Sequence, residues 1–95
     1  MSEAGASPGF DSARLTVHGL ESVRDRRISV EALRQVLAQP EDWWEVRPGR
    51  VVCQGIVESD GKLYILRVFV DLQPPPGRLV TAYMTSKIEK YRRLP

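Results

Sequence analysis

Ninety-five residues include only one cysteine and one histidine, so the side chains most used for redox, zinc and nucleophilic chemistry are nearly missing. Cys53 has no second cysteine with which to form an internal disulfide, and zinc sites built from paired cysteines are excluded with it. One histidine, with no cluster of carboxylates spaced for a divalent ion, points away from metal catalysis and calls for no metal or other cofactor. Long apolar runs are also missing. No stretch approaches the roughly 20 apolar residues of a membrane span, and the first residues have neither the basic start nor the apolar middle of a secretion signal. The expectation is a cytoplasmic chain with no membrane partner.

What is present is ordinary for a folded domain: 42% hydrophobic and 27% charged residues. The length allows one domain with a small core. Net charge is only +2, but it is unevenly placed. Residues 1–13 carry Glu3 and Asp11 and no base, which leaves 14 bases against 10 acids in the remainder. That excess of +4 gathers around Arg24 to Arg27 and Lys87 to Arg93.

The opening Met1-Ser2-Glu3-Ala4-Gly5-Ala6-Ser7-Pro8-Gly9 has too little apolar side chain to offset the entropy of ordering, so residues 1–13 read as a flexible tail and 14–95 as the domain. Leu15, Leu20 and Val23 recur as one face of an amphipathic helix between Leu15 and Arg27, although Gly19 weakens the pattern. Ser29 is placed as the N-cap of a second helix, with Glu31 in its first turn and Val30, Leu33, Val36 and Leu37 on one face, and Pro40 sets its end. After Pro40 the period changes. Trp43 to Arg47, Arg50 to Glu58, Lys62 to Leu72 and Arg78 to Met84 are rich in β-branched and aromatic residues, separated by Pro48-Gly49, Ser59-Asp60-Gly61 and Pro74-Pro75-Pro76-Gly77. The fold class is therefore α+β: two N-terminal helices on a four-stranded antiparallel meander, with a short helical turn near the C-terminus.

Alternation on the third strand places Tyr64, Leu66, Val68 and Val70 under the helices and Leu63, Ile65, Arg67, Phe69 and Asp71 on a partly open face. Arg67 interrupts an apolar strand and must find an anion, an acceptor or solvent; either it pairs with Asp71 or Glu58, or it projects with Tyr83 toward a phosphate or base. His18 is either a half-exposed helix histidine or a proton-transfer group that titrates near neutrality, with Arg26 about two turns away. Arg50 follows a hairpin glycine and is placed to reach a phosphate. Lys87 and Tyr91 share a face if residues 86–93 form a helical turn, with Lys90 and Arg92 offset. Trp43 and Trp44 face opposite ways, and at least one is expected in the core.

Three motifs carry a resemblance. His18 is followed eight positions later by Arg26 and then by Ile28-Ser29; Pro40 is followed by Gly49-Arg50; Val80-Thr81-Ala82-Tyr83 leads into Thr85-Ser86-Lys87. Their order resembles the small bacterial family called domain of unknown function 4258, whose members resemble RelE-like toxins, over about residues 15–93. The family pattern often has arginine where this chain has Ser22, and glycine where it has Arg27. The resemblance implies a toxin-type endoribonuclease that cleaves RNA by metal-independent acid/base chemistry, free or on the ribosome, and a small antitoxin protein that covers its basic face. Under it His18, Arg26, Arg67 and Lys87 are the candidate catalytic residues, and Arg50, Tyr83, Lys90, Tyr91 and Arg92 the candidate substrate-binding residues. The same residues also allow a non-catalytic module that binds protein or RNA on this fold.

Overall fold

The structure, a computed structural model, describes residues 9–92. Two helices, α1 (Val17–Asp25) and α2 (Val30–Ala38), precede four strands, β1 (Asp42–Arg47), β2 (Arg50–Ser59), β3 (Lys62–Asp71) and β4 (Arg78–Thr85), and a final turn of helix, α3 (Ile88–Tyr91). The sheet is an antiparallel meander in the order β1-β2-β3-β4. The expected architecture is thus observed, with strand ends within one residue of those read from the sequence.

Both long helices begin where a hydroxyl satisfies an orphan backbone donor. Thr16 Oγ1 accepts from the Gly19 amide, and Ser29 Oγ accepts from the Ala32 amide. The first helix is shorter than expected, and Arg26 is its C-cap rather than part of its body. Gly19, which weakens the helical pattern, is required by packing: a Cβ there would lie 2.6 Å from the Leu79 side chain. Close contact between α1 and β4 outweighs the cost of glycine in a helix, about 1 kcal/mol.

The hairpin at Asp60-Gly61 has both central residues at positive φ, 52° and 76°, the geometry that continues strand twist through a two-residue turn. It sets Ser59 opposite Lys62 and, further along, Gln54 opposite Arg67. At the other end of the sheet, Arg14 bridges Arg78 in parallel: the Arg14 amide donates to the Gly77 carbonyl and the Leu79 amide to that of Arg14. This segment covers the outer edge of β4.

The core lies between the helices and one sheet face. Val23, Leu33, Val36 and Leu37 meet Val51, Cys53, Val57, Leu66, Val68 and Val70, all buried. Each fully buried aliphatic side chain contributes about 1.5–3 kcal/mol, so this face holds most of the stability. Burial pushes the Cys53 thiol up to about 12, which keeps it a neutral packing group.

One boundary is corrected. Met1 to Pro8, expected as flexible tail, lie outside the described residues, but residues 9–13 belong to the packed domain. The Phe10 amide donates to the Leu37 carbonyl, its ring meets Trp43 edge-on at 5.4 Å, and Ala13 is buried in the core. The aromatic and small side chains of this stretch fill space beside α2 that its polar neighbours conceal in the sequence.

Candidate nucleic-acid interface

Strand alternation sends Val52, Gln54, Ile65, Arg67, Phe69, Asp71 and Tyr83 to the sheet face opposite the core. At its centre stands Arg67. Its Nε donates to Gln54 Oε1 at 3.0 Å and its Nη1 to the Tyr83 hydroxyl at 2.6 Å. The guanidinium carbon lies 4.5 Å from the Tyr91 ring centroid and 5.6–5.8 Å from those of Phe69, Tyr83 and Trp44. Of the two alternatives the sequence left open, Arg67 therefore pairs with neither Asp71 nor Glu58 and stands with Tyr83. Among the described residues, no carboxylate forms an ion pair with it. Its charge is balanced by ring faces and two neutral acceptors, a setting that leaves it attractive to an anion.

Gln54 organises this cluster. Only 1% of it is exposed, and its Nε2 donates to the Tyr91 carbonyl at 2.8 Å while its Oε1 receives Arg67. One buried amide thus ties β2 to β3 and to α3, and both ends of it are satisfied. Tyr91 is delivered by α3, whose chain end is fastened again where Arg92 grips Glu41 through two bonds, at 2.7 and 2.9 Å. Arg92, a candidate substrate-binding residue, thus holds a carboxylate on one edge of its fork, with its side chain 40% exposed. The hydrogen bond from Arg92 holds the Glu41 carboxyl below its ordinary range.

Arg50 is likewise engaged by a carboxylate. Its guanidinium is bidentate on Asp71, at 2.6 and 3.0 Å, because the hairpin places the two residues directly opposite. The bond from Arg50, with lesser help from Arg78 and Arg47, holds Asp71 below the usual carboxylate range. His18, Thr16, Arg50, Asp71, Arg78, Leu79 and Val80 line one hollow of about 380 Å³ at this end of the sheet. The His18 side chain is 96% exposed, and its Nδ1 stands 3.7 Å from Glu21 Oε1.

Arg26 does not line that hollow. Its Nη1 donates to Ser22 Oγ, and that hydroxyl is 2.9 Å from Thr81 Oγ1 on β4. Thr81 in turn lies opposite Phe69, whose ring stacks on Tyr83 at 6.2 Å. Ser22 thus links α1 to β4, and Arg27 occupies the left-handed region at φ 58°, where glycine is favoured.

Lys87 precedes α3 and is exposed, with its backbone amide on Thr85 Oγ1. The final helical turn, α3, runs from Ile88 to Tyr91 with Lys87 as its N-cap, so the condition under which Lys87 and Tyr91 would share a helix face is not met. Lys90 reaches the Tyr91 ring at 5.4 Å. Arg93 lies outside the described residues. Neither tryptophan is fully buried: Trp43 is 40% exposed beside Phe10, and Trp44 is half-buried near Arg67.

The structure therefore brings together Arg67, Tyr83, Tyr91 and Lys90 at one centre and His18 and Arg50 at a second, with Arg26 linked to the same face through Ser22 and Thr81. It adds Gln54 and Arg78, which sequence reasoning passes over, and draws Trp44 and Phe69 into the cluster. Comparison with family models, with curated proteins and with solved structures finds no match for this chain, and the likeness drawn from its motifs stands on those motifs alone.

Proposed function

We propose that this chain binds RNA on the sheet face opposite α2 and cleaves it without a metal, as a toxin-type endoribonuclease acting in the cytoplasm under the control of a small antitoxin protein. The observation that carries the reading is Arg67: a guanidinium with no described carboxylate partner, set among four aromatic rings on an incompletely covered face. Phosphate suits the charge, and an unstacked base suits the rings of Tyr83 and Tyr91. A small acidic protein covering the same face would compete directly with RNA.

Cleavage requires the ribose 2′-oxygen to lose its proton and attack the neighbouring phosphorus, while the bond to the 5′-oxygen breaks and that oxygen gains a proton. The products are a 2′,3′-cyclic phosphate and a free 5′-hydroxyl. His18, the sole imidazole, serves one of these two proton transfers, and water serves the other. Arg50, which lines the same hollow as His18, stabilises the charge that grows on the phosphate.

One observation favours a second reading, an RNA-binding module that does not cut. His18 is the only side chain at the hollow suited to proton transfer near neutral pH, since Arg50 keeps Asp71 ionised. The test is incubation of the purified chain with single-stranded RNA in excess chelator. The endoribonuclease reading expects 2′,3′-cyclic phosphate ends and their loss in His18→Ala with the fold retained; binding to intact RNA alone would decide for the module. Cleavage undiminished in His18→Ala would remove the assigned role of His18.

A further inference from the structure

The hollow beside His18 has a second arginine whose position the reading so far does not use. Arg50 and Arg78 both face Asp71, but unequally. Arg50 sits at 2.6 Å with its side chain 26% exposed, whereas Arg78 Nη2 stands 3.8 Å from Asp71 Oδ2 with its side chain 58% exposed. The bidentate pair takes Arg50 to both Asp71 oxygens, while Arg78 stands beyond hydrogen-bond distance of the carboxylate. Arg78 is left with a long, solvent-screened contact of little strength. It is also anchored at its backbone, because Gly77 and Leu79 on either side are bonded to Arg14.

We propose that this hollow is a phosphate seat, with Arg78 as the ligand-binding residue, Arg50 as the fixed positive charge behind it and the His18 imidazole at its mouth. The group it takes is a phosphate with three or more free oxygens, either inorganic phosphate or the terminal phosphate of an oligonucleotide. Arg78 swings from Asp71 to the incoming oxygens, and Asp71 stays paired with Arg50, so its half-buried carboxylate is not left bare. The charged and titratable groups facing His18 are Glu21 from α1, Arg50 from β2, Asp71 from β3 and Arg78 from β4. Bound phosphate adds negative charge beside the imidazole and favours its protonated form. As a statement about RNA this rests on the proposed function; as a statement about phosphate it stands alone.

Because the chain has one histidine, its imidazole signals in an NMR spectrum are unambiguous. Titration of the intact protein with inorganic phosphate, and separately with a dinucleotide carrying a 3′-phosphate, is expected to shift those signals saturably and to raise the pH at which His18 titrates. Sodium chloride at equal ionic strength is the control. Arg78→Gln is expected to weaken both titrations by about tenfold while its other amide signals stay in place, the loss expected for one charge-assisted contact. Arg78→Lys should restore part of the affinity. No saturable shift with either compound, or an unchanged shift in folded Arg78→Gln, overturns the seat. Saturation by inorganic phosphate alone assigns a free-anion site; saturation by both supports the oligonucleotide terminus. If phosphate binds and RNA is neither bound nor cut, the seat stands and the ribonuclease reading falls.

Discussion

The two faces of the sheet differ in what they ask of a side chain. Beneath the helices, Leu33, Val36 and Leu37 meet Val51, Cys53, Leu66 and Val68 with no buried polar group among them. On the opposite face the buried aliphatics Val52 and Ile65 share the surface with Gln54, whose amide is as buried as they are, and with Arg67. The first face is interchangeable chemistry, where volume and apolarity suffice. The second is specified chemistry, where each donor has one acceptor and a change of residue type strands its partner. A protein of this size has little stability to spare, so polar specification on one face points to use rather than to folding.

Substitutions can separate these two roles. Leu33→Ala removes a fully buried side chain from the helix-covered face and is expected to cost about 3 kcal/mol, read from chemical denaturation, with no change in RNA affinity under conditions where the chain is folded. Gln54→Met retains volume but leaves Arg67 Nε and the Tyr91 carbonyl without their partner. It should cost about 2 kcal/mol and also weaken RNA binding, so it registers on both scales. Arg67→Gln strands the buried Gln54 Oε1 and should cost about 1–2 kcal/mol in stability, less than Leu33→Ala, while RNA affinity falls about tenfold with a shallower dependence on salt.

Two smaller effects sharpen the contrast. The carboxyls of Asp71 and Glu41 are held low in the folded chain, by hydrogen bonds from Arg50 and Arg92 respectively. Their contribution to stability is therefore present above the ordinary carboxylate range and is lost as pH falls through the depressed folded values. Acid unfolding followed by circular dichroism should be less steep in Asp71→Asn and Glu41→Gln than in the parent chain. Last, Arg27→Gly relieves the left-handed backbone after α1 and should raise stability by up to about 1 kcal/mol, as read by thermal melting.

Much of this was open to reading from residues, and the limits have physical causes. Ser29 and Pro40 mark the ends of α2 because capping and proline sterics are local, and period-2 alternation correctly separates Leu66, Val68 and Val70 from Arg67 and Phe69. The partner of Arg67 was legible too: a two-residue turn at Asp60-Gly61 sets Ser59 opposite Lys62, and counting back along both strands puts Gln54 opposite Arg67. The same count puts Arg50 opposite Asp71, which forecasts their ion pair. Tyr83 is harder to place, because the proline-rich connection and the irregularity between Phe69 and Val70 break any count from β3 to β4. The return of α3 over Gln54, and the grip of Arg92 on Glu41, join segments far apart in the chain and leave no periodic trace.

The claim that the Arg67 face receives RNA is tested most directly by the salt dependence of binding to a labelled single-stranded RNA, measured in chelator for the parent chain and for Arg67→Gln. The account predicts affinity falling steeply with salt in the parent, with Arg67→Gln binding about tenfold more weakly and along a slope shallower by about one unit. Equal affinities and equal slopes for the two folded proteins would contradict it.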